Sequence, residues 1–191
     1  MSLKNKLAIF DLDGTLFDTK DVNYNAYQNA IKMVEIDVKI DYNDFCNLYN
    51  GKNYREFLPK IIPDITEEQM KNIHNFKKNI YTQYLDKARK NELLFFMIQE
   101  IKKEFYISLV TNASKKNVVD ILEKFAVKDL FDLFVTQEDI KKPKPSAEGF
   151  LKAIDYFSIL KKNTIIFEDS EIGIQAAIES GADYVKVYGY N

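Results

Sequence analysis

Leu7-Ala8-Ile9-Phe10-Asp11-Leu12-Asp13-Gly14-Thr15 is the stretch that decides how this chain is read. A short continuous apolar run ends in acids and a glycine turn, which is the pattern of a buried strand. Two aspartates two residues apart at the mouth of such a strand repel each other, and a bound Mg²⁺ relieves that repulsion. A carboxylate placed there can attack phosphorus to give an acyl phosphate. Its neighbour can protonate the leaving oxygen and later activate water. A bare Asp-x-Asp would favour a turn or helix cap instead. The strand before it and Gly14-Thr15 after it favour the catalytic reading for Asp11 and Asp13.

Working outward, similar apolar runs recur at Tyr106 to Val110, Leu133 to Thr136, Thr164 to Phe167 and Asp183 to Tyr188. Helical spacing separates them. Val118, Val119, Leu122 and Phe125 follow Ser114; Phe150, Leu151, Ile154 and Phe157 follow Ser146; Ser170 and Gly181 bracket another helix. Strand–helix alternation predicts a parallel, doubly wound sheet with helices on both faces. The segment from Phe17 to Arg89 differs. It shows no convincing strand, is rich in Tyr, Asn and Lys, and holds a capping box at Thr66-Glu67-Glu68-Gln69. The expected organisation is an α/β Rossmann-like catalytic core over residues 1–16 and 90–191, with an inserted helical cap domain over 17–89.

Three further strand ends carry polar residues, and in open α/β sheets ligands bind at such ends. Thr111-Asn112-Ala113 offers a hydroxyl followed by free backbone N–H groups, which suits a phosphate oxygen, though Thr-Asn before a helix also serves as a plain cap. Lys141-Lys142-Pro143-Lys144-Pro145 offers a lysine on a stiff backbone to offset phosphoryl charge, or simply a solvated basic loop. Glu168-Asp169-Ser170 ends an apolar strand and opens a helix, so its acids either complete a hard-cation site with Asp11 or pair with the helix dipole.

The order of these motifs along one sheet resembles the haloacid dehalogenase-like hydrolase superfamily. The runs Asp-Leu-Asp-Gly-Thr-Leu-Phe-Asp-Thr and Phe-Glu-Asp-Ser-Glu-Ile-Gly-Ile-Gln-Ala-Ala resemble the branch of phosphoglycolate phosphatase and β-phosphoglucomutase. The resemblance implies a Mg²⁺-dependent phosphomonoester hydrolase working through an aspartyl-phosphate. Asp11 would be the nucleophile and Asp13 the general acid/base, lending its backbone carbonyl to the metal. Thr111, Asn112 and Ala113 would hold the phosphoryl group. Lys142 matches the motif lysine because it directly precedes Pro-x-Pro, with Lys141 and Lys144 ranked below it. Asp169 would bind Mg²⁺, with Glu168 as a further or water-mediated ligand. Arg55, in a stretch similar to the branch's substrate-facing cap loop, would meet an anionic group of the substrate.

The resemblance also separates alternatives. The family's dehalogenases lack the second aspartate, so Asp13 argues against dehalogenation. The mutases carry a histidine where this chain has Asn23, and the only histidine, His74, is expected at the surface. A phosphosugar mutase and a catalytically idle binding protein on the same fold remain the competing readings; an intact catalytic set speaks against the idle one. Among 191 residues the net charge is -2, with Lys and Arg interspersed among acids, so no nucleic-acid partner is expected. No apolar run is long enough for a membrane span. A single cysteine, Cys46, excludes an internal disulfide and fits a reducing, cytoplasmic setting. The expected partner is a small phosphorylated metabolite.

Overall fold

In the computed structural model, which describes residues 4–188 and residue 190, a five-stranded parallel sheet is built from β1 (Lys6–Phe10), β4 (Phe105–Val110), β5 (Leu133–Val135), β6 (Thr164–Glu168) and β7 (Asp183–Lys186). Its order is β5-β4-β1-β6-β7. Leu7, Ala8, Ile9 and Phe10 are all fully buried, as their unbroken apolar run demands. β1 lies at the centre, with β4 and β6 as its neighbours. The chain fills one side of β1 through β4 and β5, then returns to the other through β6 and β7. This reversal at β1 is the topological switch point, where a crevice opens beyond the strand ends.

The helices of the core are α5 (Glu92–Ile101), α6 (Lys115–Lys124), α7 (Glu148–Phe157) and α8 (Glu171–Ser180). Leu7, Ile9, Val110, Val135 and Ile166 pack with Phe150, Ala153 and Ile154 of α7 and Ala176 and Ala177 of α8. Elsewhere Phe10 stacks on Phe167 at 4.6 Å, and Phe17 packs against Phe95 of α5 and Phe125 beyond α6. Ser114 and Ser170 cap α6 and α8 by accepting the N–H groups of Asn117 and Gly173. α7 starts at Glu148, later than Ser146 suggests, because the Pro143 carbonyl accepts the Ser146 N–H in a turn that precedes the helix. β7 stops at Lys186, although the Val187 N–H still reaches the Glu168 carbonyl.

Contacts divide the chain into two compact units, one running up to Asp18 and again from Arg89, the other Thr19–Ala88. The breaks fall beside two short strands, β2 (Phe17–Asp18) and β3 (Arg89–Lys90), which pair antiparallel. Two residues are too few for a period-two pattern, so these strands are invisible in the sequence. The Thr19–Ala88 unit holds α1 (Lys20–Met33), α2 (Tyr42–Asp44), a π-helical turn at Phe45–Tyr49, α3 (Tyr54–Ile61) and α4 (Glu67–Ile80), followed by a 3-10 segment at Tyr81–Lys87. Its own core joins Tyr27, Phe45 and Phe57, with Tyr27 and Phe57 edge to face at 5.0 Å. Burying one such ring contributes on the order of 1.5–3 kcal/mol. The Thr66 capping box forms as the sequence implies. His74 is half-buried rather than at the surface, because its ring stacks on Tyr54 at 4.1 Å. Among the described residues no helix is long and apolar enough to cross a membrane.

Candidate active site

The carboxyl end of β1 passes directly into Asp11, whose N–H donates to the Phe167 carbonyl and extends the ladder toward β6. The Asp11 carboxylate is buried. At the end of β6, Glu168 is fully buried and Asp169 follows it. Oxygen atoms of Asp11, Glu168 and Asp169 lie within 4.8 Å of one another. One ammonium group joins them: Lys144 Nζ donates to Asp11 Oδ1 at 2.6 Å, to Glu168 Oε1 at 2.5 Å and to the Val110 carbonyl at 3.0 Å. Strands β1, β4 and β6 thus each deliver a polar group to one buried point.

Glycine makes the two tightest approaches possible. A Cβ on Gly14 would lie 2.2 Å from Asp169 Oδ2, and Gly14 has φ +93°, where other residues are strained. A Cβ on Gly173, in the first turn of α8, would lie 1.9 Å from the Glu168 carboxyl carbon. The Glu168 carboxylate is therefore seated on the start of α8. There Oε2 accepts the Ser170 backbone N–H at 3.1 Å and the Ser170 hydroxyl at 3.0 Å. Gly173→Ala gains up to about 1 kcal/mol of helix propensity. It is nonetheless expected to destabilise the protein by roughly 2–4 kcal/mol, since the new methyl pushes Glu168 off Lys144. Urea unfolding measures this, and a variant as stable as the parent would show that Glu168 does not sit on Gly173.

Three carboxylates lie around one ammonium group, which pairs with Asp11 and Glu168, so negative charge is in excess. Burial pushes the Asp11 pKa well above the ordinary aspartate range; Lys144 opposes the rise, and Glu168, Asp169 and Asp13 add to it. Burial likewise pushes Asp169 up to about 6, with Glu168 adding and a hydrogen bond from Thr15 opposing. Burial works against the charge on Lys144, but Asp11 and Glu168 outweigh it and raise its pKa. An all-oxygen, anionic donor set with surplus charge suits a hard divalent cation. Asp11, Glu168 and Asp169 fit that requirement. The Asp13 side chain is half-buried and stands outside this group of three.

The loop after β4 has its own constraints. Thr111 is buried, and its Oγ1 accepts the Ala113 N–H at 3.1 Å. The Asn112 side chain grips the Lys144 main chain, with Oδ1 accepting its N–H at 3.0 Å and Nδ2 donating to its carbonyl at 3.4 Å. Asn112 therefore holds the lysine loop in place, a part its sequence position did not reveal.

One sequence expectation is corrected, and the surroundings of Arg55 and Asn23 are defined. Lys144, not Lys142, is the lysine at the carboxylates. The backbone N–H groups of Lys141 and Lys142 both donate to the Glu148 carboxylate, which ties that part of the loop to the start of α7 with Lys142 exposed. Lys142-Pro143 and Lys144-Pro145 are successive Lys-Pro steps, and local pattern cannot tell which side chain turns inward. Arg55 does not present a free guanidinium. It pairs with Glu67 at 2.7 Å and lies over the Tyr54 ring, both within the helical unit. Asn23 is buried and donates to Thr19 Oγ1 and Asn50 Oδ1.

Known proteins resemble this chain over nearly its whole length. Residues 8–187 match the family model described as haloacid dehalogenase-like hydrolase. A phosphorylated carbohydrates phosphatase of Thermotoga maritima is 27% identical over 187 residues, covering 95% of this chain and 83% of that protein. A β-phosphoglucomutase of Bacillus subtilis is 25% identical over 185 residues, covering 92% of this chain and 80% of that protein. The solved structure of CbbY from Rhodobacter sphaeroides, in complex with phosphate, shares the fold with a TM-score of 0.88 at 19% identity. That alignment covers 97% of this chain and 87% of that one. With all four strand-end motifs inside the matched span, the chain belongs to the haloacid dehalogenase-like hydrolase family.

Proposed function

We propose that this chain is a Mg²⁺-dependent phosphatase that releases inorganic phosphate from a small phosphorylated metabolite through an aspartyl-phosphate on Asp11. The observation that carries the reading is the convergence of buried Asp11, Lys144 and Glu168 with half-buried Asp169 at the switch point of the sheet. Asp11 Oδ1 is held by Lys144, which leaves the other oxygen to attack phosphorus in line with the leaving group. Asp13 gives a proton to the departing oxygen as the P–O bond breaks, then takes one from the water that hydrolyses the acyl phosphate. Thr111 and the backbone N–H groups of Asn112 and Ala113 receive the phosphoryl oxygens, and Lys144 balances their charge. A divalent cation held by Asp11 and Asp169, with the Asp13 carbonyl and Glu168 as further or water-mediated ligands, would screen the phosphate and fix the line of attack.

The names of the relatives support a phosphorylated small molecule as substrate. The mutase reading gains nothing specific, since Asn23 carries no titratable group and its amide is already engaged with Thr19 and Asn50. The test is phosphate release across a panel of sugar phosphates, phosphoglycolate, nucleotides and pyrophosphate. Turnover of at least one member is expected with Mg²⁺, and EDTA is expected to stop it until Mg²⁺ is restored. Undiminished turnover in thoroughly chelated enzyme would remove the metal from the scheme. Isomerised substrate without free phosphate would replace hydrolysis by the mutase reaction.

A further inference from the structure

Asp169 sits against the loop that carries the first motif and accepts a hydrogen bond from it. Thr15 is fully buried, and its hydroxyl donates to Asp169 Oδ1 at 2.8 Å. Asp169 Oδ2 occupies the space where Gly14 lacks a Cβ. The hydrogen bond from Thr15 fixes one oxygen, and the missing Gly14 Cβ leaves room for the carboxylate to sit there. Thr15 is in turn fixed from the far end of the chain segment that leaves and re-enters the core. The Asn91 side chain donates through Nδ2 to the Thr15 carbonyl at 3.2 Å, and the Asn91 N–H donates to the Leu16 carbonyl at 2.9 Å. Asn91 Oδ1 accepts the Leu94 N–H, so the same residue caps α5. It directly follows β3, whose pairing with β2 closes the two crossings between the units.

We propose that Thr15 is a positioning residue for the metal-binding carboxylate of Asp169, and that Asn91 holds Thr15 in the register this requires. The inference rests on the metal site proposed above. A carboxylate that is oriented before a cation arrives loses less freedom on binding it, and hydrogen-bond partners behind a metal ligand change affinity by roughly ten- to a hundredfold. The plainer account is that the hydroxyl merely satisfies itself in a buried place. That account predicts altered stability with no change in affinity for the metal.

Direct binding of Mn²⁺, counted as free ion by electron paramagnetic resonance in the absence of substrate, separates these accounts without reference to turnover. Thr15→Val keeps the shape and removes the donor, and is expected to raise the Mn²⁺ Kd about tenfold. Thr15→Ser keeps the donor and is expected to stay within about twofold of wild type, its hydroxyl making the same hydrogen bond. Asn91→Ser retains a cap for α5 but cannot reach the Thr15 carbonyl, and a smaller rise of about threefold is expected, the scale of one neutral hydrogen bond. Melting of the metal-free variants is recorded beside each titration, so that only folded samples are compared. If wild type binds Mn²⁺ and Thr15→Val binds it equally well, the positioning role is wrong. Equal weakening in the Ser and Val variants would assign the effect to packing and also overturn it. Absence of binding by wild type is a different outcome, which removes the metal site itself.

Discussion

Lys144→Ala is expected to abolish phosphatase turnover and to destabilise the protein by about 3–5 kcal/mol, the scale on which removing one partner of a buried ion pair acts. Lys144 is 6% exposed and is the cation shared by Asp11 and Glu168. Without it, those two carboxylates and Asp169 stay together in a buried place with no counter-charge from the protein, and Asp11 loses the donor that orients it. Lys142→Ala is the matched control. The Lys142 contact with Glu148 runs through its backbone N–H, which alanine keeps, so both stability and turnover are expected to stay near wild type. Urea unfolding and phosphate release on the two variants decide the assignment. A dead Lys142 variant beside an active Lys144 variant would reverse it.

Asp11→Asn is expected to reduce turnover by roughly four to six powers of ten, the range seen when a nucleophile is removed from a catalytic group that acts as a unit. The amide keeps the shape but cannot form the acyl phosphate. Its effect on stability has the opposite sign. Because burial raises the Asp11 pKa above the ordinary value of 3.8, the folded protein holds that proton more tightly than the unfolded chain does. Stability from this group is complete below the ordinary value and is lost as pH rises through the folded pKa. At pH 7 in EDTA, Asp11→Asn should therefore melt above wild type, and the gap should close as pH falls toward 4. Thermal melts across that window check the sign. A variant that melts below wild type at pH 7 would mean that the Lys144 pairing outweighs desolvation. Retained turnover would move the nucleophile elsewhere.

The amino-acid sequence by itself determined the strand Leu7–Phe10, the sheet it belongs to and the strand ends at which Asp11, Asp13, Thr111, Glu168 and Asp169 stand. Those features are local: an apolar run too short for a helix, acids where it stops, and capping residues where helices begin. The resemblance to a known family rested on the same short stretches. Only the tertiary structure decided which lysine meets Asp11, because the outcome depends on Glu148 capturing the N–H groups of Lys141 and Lys142 and on Asn112 holding the Lys144 backbone. It likewise decided that Arg55 is taken by Glu67, that His74 lies half-buried on Tyr54, and that two-residue strands flank the helical unit. Gly14 and Gly173 show the division most sharply. In sequence they read as a turn and a helix residue; in the fold their missing Cβ atoms are the space in which Asp169 and Glu168 sit. Contacts between residues more than a hundred positions apart, such as Thr15 with Asp169 or Lys144 with Asp11, leave no periodic trace in the chain, since they arise only when the strand ends converge at the switch point of the sheet.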